Sequence, residues 1–143
     1  MALGAAAVIL VTGTAACSTA PEVTLAPFAT AAACSSPAWP NTVSGHARVA
    51  TTPEAPSVAA WGDPAIIARC GLSALAPTTL ECVNVNGVDW VVRELSDGSA
   101  ATSYGTDPAI EVLVPKAYGP APLLLPAFTA AAEALPDNGR KCL

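Results

Sequence analysis

The fold turns on one stretch: Glu81-Cys82-Val83-Asn84-Val85-Asn86-Gly87-Val88-Asp89-Trp90-Val91-Val92-Arg93-Glu94-Leu95. Two β-rich runs, Glu81 to Val85 and Val88 to Leu95, are separated by Asn86-Gly87. Asn-Gly favours a two-residue hairpin turn because both residues tolerate positive φ. In the second run Val88, Trp90 and Val92 alternate with Asp89, Val91 and Arg93, which gives the strand one clearly apolar face.

Turn signals continue on either side. Asp97-Gly98 marks the next turn, Ala100 to Tyr104 reads as a third strand, and Thr106-Asp107-Pro108 turns the chain again. Ala109 to Val114 is then a further strand, ended by Pro115. Upstream, Pro64 opens a strand over Ala65 to Cys70, closed by Gly71. Asn41 to Ala60 is mixed: Thr42-Val43 and Arg48 to Thr51 read as short extended pieces, and Pro53 and Pro56 make the rest a loop.

The two ends read as helices. Over Ala26 to Ser35, Pro27 suits the first turn and alanine favours helix, with Phe28, Ala31 and Ala32 as the buried stripe. From Pro122 to Leu135, the residues Leu124, Ala127, Phe128, Ala131 and Leu135 follow a 3.6-residue period. The expected fold class is therefore α+β. An antiparallel sheet of about four or five strands, built as a meander around the hairpin, carries the N- and C-terminal helices on one face.

The first 16 residues carry no charged side chain, and Ala2 to Val11 form an apolar run of signal-peptide length. No apolar stretch reaches the roughly 18–20 residues of a membrane span, which excludes a multipass membrane protein. Ala15-Ala16-Cys17 at the end of the run resembles a bacterial lipobox, although Thr14 stands where that motif usually carries Leu or Val. The resemblance implies that the Cys17 thiol receives a diacylglycerol and becomes the first residue of the mature chain. Cleavage by an ordinary signal peptidase would instead give a secreted chain. The expected organisation is a signal peptide over 1–16, a lipidated tether over 17–25 and a single domain over 26–143.

Five cysteines, Cys17, Cys34, Cys70, Cys82 and Cys142, are an odd number for an exported protein, and lipidation of Cys17 leaves four. Four permit three pairings. The expected one is Cys70 with Cys82, tying two neighbouring strands, and Cys34 with Cys142, joining the two ends of the domain. In the chain-entropy model these loops contribute roughly 3 and 4.7 kcal/mol. The absence of CxxC and the wide spacings support neither a redox motif nor a zinc site.

Composition narrows the function classes. The chain has 143 residues, of which 52% are hydrophobic and only 12% charged, with a formal net charge of −5. That balance argues against a nucleic-acid partner, which selects for a basic stripe. The 32 alanines and many other apolar residues argue against a disordered chain. No glycine-rich phosphate loop, Rossmann spacing or Gly-x-Ser-x-Gly elbow is present, so no cofactor is expected.

A series of short motifs runs along the domain: Trp61-Gly62-Asp63-Pro64, Arg69-Cys70-Gly71, Cys82, Val85-Asn86-Gly87-Val88-Asp89-Trp90, Thr102-Ser103-Tyr104-Gly105, and Glu111-Val112 with Pro115. Their order resembles the domain of unknown function 3515 family of actinobacterial envelope proteins, as do Cys34 and Asn41-Thr42-Val43 at the opening. Thr106 stands where that pattern carries a basic residue, and Ala65 where it carries a second proline. The resemblance implies an exported, often membrane-tethered protein and no established activity.

Candidate binding residues are Trp61, Asp63, Arg69, Asp89, Trp90 and Tyr104. Tryptophan is enriched at binding hot spots, and an arginine can hold an anion or fix a loop through a carboxylate such as Asp63 or Asp89. The plainer reading puts Trp61 in the core, with Asp63 capping a turn. Asp63, Asp89, Asp107 and Glu111 are the acids available for a carboxylate site, most of them read as lying beside Gly or Pro in turns or on the solvent side of strands. His46, the only histidine, lies in a Ser-Gly-His-Ala segment read as exposed. No catalytic residue is assigned and no metal is expected. The sequence reads as a non-enzymatic envelope protein, held to the membrane by its lipid and serving a protein partner. The alternative is a small-molecule or glycan-binding module.

Overall fold

The computed structural model describes residues 19–143, so the leader and Cys17 lie outside the described residues. Eight strands form one sheet: β1 (Thr42–Val43), β2 (His46–Val49), β3 (Val58–Trp61), β4 (Ile66–Leu72), β5 (Cys82–Val85), β6 (Val88–Leu95), β7 (Gly98–Tyr104) and β8 (Ala109–Pro115). The spatial order is β1-β2-β3-β4-β8-β7-β6-β5, with every neighbouring pair antiparallel. Two four-strand meanders thus meet at β4 and β8. The chain leaves β4 at the centre, crosses to the far edge and meanders back.

The hairpin that set the sequence reading forms as expected. Asn86 (φ 52°) and Gly87 (φ 86°) turn the chain, and Val85 pairs with Val88. The sheet has eight strands rather than four or five because the short extended pieces join it as β1 and β2 and the segment before Trp61 is extended as β3. Ser57-Val58-Ala59-Ala60-Trp61 is buried throughout. A strand covered on both sides shows no apolar–polar alternation, and its small side chains hide the signal further.

One face of the sheet carries the main core: Ala59 and Trp61 on β3, Ile66, Ala68 and Cys70 on β4, Ile110, Val112 and Val114 on β8, Ala101 on β7, and Val88, Trp90 and Val92 on β6. The C-terminal segment covers it with Ala121, Leu124, Leu125, Phe128, Ala131, Ala132 and Leu135. Trp61 packs edge-to-face on Phe128, with ring centroids 5.3 Å apart.

Helix is minor, contrary to expectation. Residues 26–35 form turns and one 3-10 turn at Ala32–Cys34, with Phe28 exposed. A ten-residue helix is marginal by itself. Here the Phe28 N–H instead donates to the Gly71 carbonyl at 2.8 Å, and Cys34 is bonded to β4. The C-terminal element splits into 3-10 turns at Lys116–Tyr118, Ala121–Leu123 and Leu125–Phe128, followed by a five-residue helix, α1 (Thr129–Glu133). Pro122 and Pro126 supply no N–H, so a continuous ladder cannot form. The apolar stripe nevertheless buries Leu124, Phe128, Ala131 and Leu135, with Ala127 partly covered.

The disulfides join Cys34 to Cys70 and Cys82 to Cys142, which corrects the expected pairing. Cys70 lies on β4 and Cys82 on β5, with β8, β7 and β6 between them. Four strand spacings of about 4.8 Å separate them by roughly 19 Å, far beyond disulfide reach. Each bond instead fastens one end of the chain to the nearer meander. Both suit an oxidising, extracytoplasmic setting.

Residues 21–25, read as the end of a tether, lie against the domain. Pro21 accepts a hydrogen bond from the Thr52 N–H (3.0 Å), Val23 donates to the Thr52 carbonyl (2.8 Å), and Val23 is buried. The chain therefore belongs to the domain from Pro21 onward. At the other end, the Asp137 carboxylate is held below the ordinary carboxylate value by the Gly139 N–H and then by Lys141.

Two predictions follow from this packing. Non-reducing peptide mapping will recover Cys34–Cys70 and Cys82–Cys142 peptides, and paired alanine replacement of either bond will cost about 4 kcal/mol of unfolding free energy. The two buried tryptophans will differ. Trp61 Nε1 donates to the Pro40 carbonyl at 3.0 Å, whereas Trp90 Nε1 has no partner among the described residues. In denaturant titrations Trp61→Phe will therefore destabilise by about 1 kcal/mol more than Trp90→Phe, because only the former strands a hydrogen-bonding group.

Candidate functional site

The second face of the sheet carries the polar chemistry, and the strand registers place it in rows. One row runs Val58, Arg69, Glu111, Thr102, Val91, Cys82 across β3, β4, β8, β7, β6 and β5. The next runs Val49, Ala60, Ile67, Leu113, Ala100, Arg93 from β2 to β6. Side chains two residues apart on one strand share a face, so both rows project to the same side.

Glu111 is the centre of this face. It is only 3% exposed, yet it accepts hydrogen bonds from two arginines. Arg69 Nε reaches Oε1 at 2.9 Å and Arg93 Nη2 reaches Oε2 at 3.1 Å. Arg69 also donates from Nη1 to the Thr24 carbonyl at 3.1 Å, which fixes the N-terminal segment against β4. The sequence reading paired Arg69 with Asp63 or Asp89 and placed Glu111 toward solvent. The β4–β8 register supplies a different partner, because it sets Arg69 opposite Glu111. A crossover pairing between distant strands leaves no local sequence signal. Arg93 is about half exposed, so its guanidinium is oriented by Glu111 while remaining open to solvent.

Beside this trio lies an apolar groove of about 460 Å³. Ile67, Leu113, Leu95 and Pro115 contribute apolar surface to it, and Pro64, Ala65, Asp97 and Lys116 are also among its lining residues. Leu95 stands two residues beyond Arg93 on β6, and Leu113 shares Arg93's row. A second hollow shares Ala65 with the groove, and its lining includes Thr19, Ala20 and Pro21, where the described chain begins.

The remaining candidates do not converge. Trp61 and Trp90 are fully buried on the core face, whereas Arg69 and Tyr104 lie on the other, so these four line no common cleft. Asp63 is exposed between β3 and β4. Asp89 is buried, contrary to the reading of it as a turn or solvent-side acid, and its role is structural. It accepts from Asn84 Nδ2 at 2.7 Å and from the Cys142 N–H at 2.8 Å, locking the C-terminal tail beside its disulfide. Asp107 is exposed in the turn before β8. His46 is half-buried against the Tyr118 ring, 4.8 Å away. Thr106 is buried, and its hydroxyl lies 2.7 Å from that of Ser103, which accepts from the Ile110 N–H. No group of three or more His, Cys, Asp or Glu side chains among the described residues is placed to hold a metal ion. No helix among them is long and apolar enough to cross a membrane.

No curated protein and no solved structure matches this chain. A family model does, over residues 1–138: the chain belongs to the family described as Protein of unknown function (DUF3515).

Proposed function

We propose that this is a lipid-anchored, non-enzymatic accessory protein on the outer side of the cytoplasmic membrane in an actinobacterial-type envelope, working through contact with another envelope component. The observation that carries the reading is the cysteine pairing. Cys34, Cys70, Cys82 and Cys142 are paired with one another, and the sequence carries one further cysteine, Cys17. It follows directly on an apolar run and two alanines, which is where an acyl anchor is attached. The disulfides support an oxidising compartment.

The short tether adds a geometric consequence. Only residues 18–20 separate Cys17 from Pro21, the first hydrogen-bonded residue among those described. At about 3.5 Å per residue they span little more than 10 Å. An anchored domain is thus held close to the bilayer surface with the Thr19–Pro21 edge toward it. The small-molecule alternative is favoured by one observation, the apolar groove that adjoins this same edge.

Expression in a bacterium that processes lipoproteins tests the anchor. The unaltered chain will sediment with membranes and release an acylated N-terminal peptide beginning at Cys17. Cys17→Ala will move most of the protein to the soluble fraction with both disulfides intact. Equal membrane partition of the two proteins would overturn the reading.

A further inference from the structure

We propose that the end of the sheet where the N-terminal segment reaches the domain is a membrane-contact surface. Leu123 enters the outer part of the bilayer, and the bilayer this end fits is one whose head groups carry no net charge. The proposal rests on the anchored reading above, because an anchor at Cys17 is what brings this end to a membrane.

The first observation is that the strand registers gather the relevant segments at one end. Trp61 pairs with Ile66, Leu95 with Gly98, and Gly98 with Pro115. The β3–β4 turn, the β6–β7 turn and the chain beyond β8 therefore lie along a single edge of the sheet. Thr19, Ala20 and Pro21 share a hollow with Gly62 and Asp63 of the β3–β4 turn, so the N-terminal segment meets the domain there. Gly119 shares another hollow with Leu95 and Gly98, and a Cβ on Gly119 would lie 3.7 Å from Leu123 Cδ1. Leu123 thus stands at the same end. The β3–β4 turn and the start of β7 are two strand spacings apart, roughly 10 Å.

The second is what this end exposes. Leu123 is 72% exposed, whereas its neighbours Leu124 and Leu125 are buried. Pro64, Ala117 and Pro120 are exposed at the same end. Residues 18–20 span only about 10 Å, so an anchored domain keeps this apolar surface within reach of the bilayer. Moving one leucine side chain from water to an apolar phase shifts an equilibrium by roughly tenfold to a hundredfold. That is too little to capture a vesicle from dilute solution. It is enough to orient a domain already held at the surface, where the tether sets an effective concentration of about millimolar.

The third is charge, which selects the lipid. Asp63, Glu94 and Asp97 are exposed at this end beside one exposed cation, Lys116. The excess of acids is repelled by a negative surface potential. The contact is therefore apolar rather than electrostatic, and the Lys116 stem can lie along the surface with its ammonium at the level of the lipid phosphates.

The test supplies the tether artificially. The full chain, carrying Cys17→Ala and an N-terminal hexahistidine, is held on phosphatidylcholine vesicles by a nickel-chelating lipid. Quenching is the loss of tryptophan fluorescence when the acyl chains are brominated. Ala117→Trp reports on this end with Leu123 in place. Phe28→Trp reports on the other end, where the Phe28 N–H meets the Gly71 carbonyl near the close of β4. Relative to the unsubstituted chain, the tryptophan at 117 will be quenched several-fold more strongly than the one at 28. Adding Leu123→Asp to Ala117→Trp will lower the ratio of docked to undocked domain about tenfold. High salt will leave the quenching unchanged, and replacing part of the phosphatidylcholine by phosphatidylglycerol will reduce it. Thermal unfolding of each variant confirms that it is folded. Equal quenching at the two positions, no effect of Leu123→Asp, or contact that appears only with the anionic lipid would each overturn the proposal. Because the tether does not depend on Cys17, failure here leaves the anchored reading standing, and failure of the anchor is read from the membrane fractionation above.

Discussion

The pairing of β4 with β8 is the constraint on which the rest of the molecule depends. These strands are separated by the whole second meander in sequence and lie side by side at the centre of the sheet. Their register sets Arg69 against Glu111 on one face and places Cys70 beside Ile110 in the other layer. A one-residue slip of β8 against β4 would exchange the faces of β8, sending Ile110 to the groove side and Glu111 into the core. The buried Glu111 carboxylate makes that slip costly, because a desolvated acid without its arginines is strongly unfavourable. The charged trio therefore acts as a register lock.

The two chain ends are tied to the sheet by close approach of backbone to backbone, and two glycines of the family motifs show why. Gly71 has φ +110°, and a Cβ there would come within 2.5–2.6 Å of the Phe28 and Ala29 backbone. Gly105 has φ +86°, and a Cβ there would strike the Arg140 carbonyl. Each glycine lets one tail lie flat on the sheet near a disulfide: Cys34–Cys70 for the N-terminal tail, Cys82–Cys142 for the C-terminal one. Steric permission at a glycine and covalent fastening at a cysteine solve the same problem from two sides. A tail with little apolar side-chain surface of its own must still pay its ordering entropy.

How much of this was legible in the sequence follows from the range of each signal. The Asn86-Gly87 hairpin, the strand over Val88 to Leu95 and the apolar stripe of the C-terminal segment are local, and they stand where periodicity places them. The strand at Val58–Trp61 was obscured by its burial on both sides, and the N-terminal helix gave way to contacts with Gly71 and Cys70 that no local pattern encodes. The disulfide pairing was misjudged because closeness in sequence between Cys70 and Cys82 is the reverse of closeness in the sheet. Trp61 was legible as a core plug as well as a surface anchor, and its full burial decides for the plug. The Glu111 site was missed for the same reason as the disulfides: its members come from β4, β6 and β8, which only topology brings together.

The division of labour between the faces has a physical origin. The core face holds both buried strand tryptophans and the C-terminal cover, so its large aromatics are committed to packing rather than to ligands. Among the described residues no α-helix covers the second face; tails cover it in part and it is otherwise built from residues of mixed character. One central row combines the small side chains of Ala60 and Ala100 with the larger ones of Ile67 and Leu113, and it ends at Arg93. Alternation of small and large residues on a sheet leaves relief, and relief bordered by an oriented guanidinium is what separates a recognition surface from a second core. The chemistry of this chain is therefore to be sought on the face that its aromatic residues avoid.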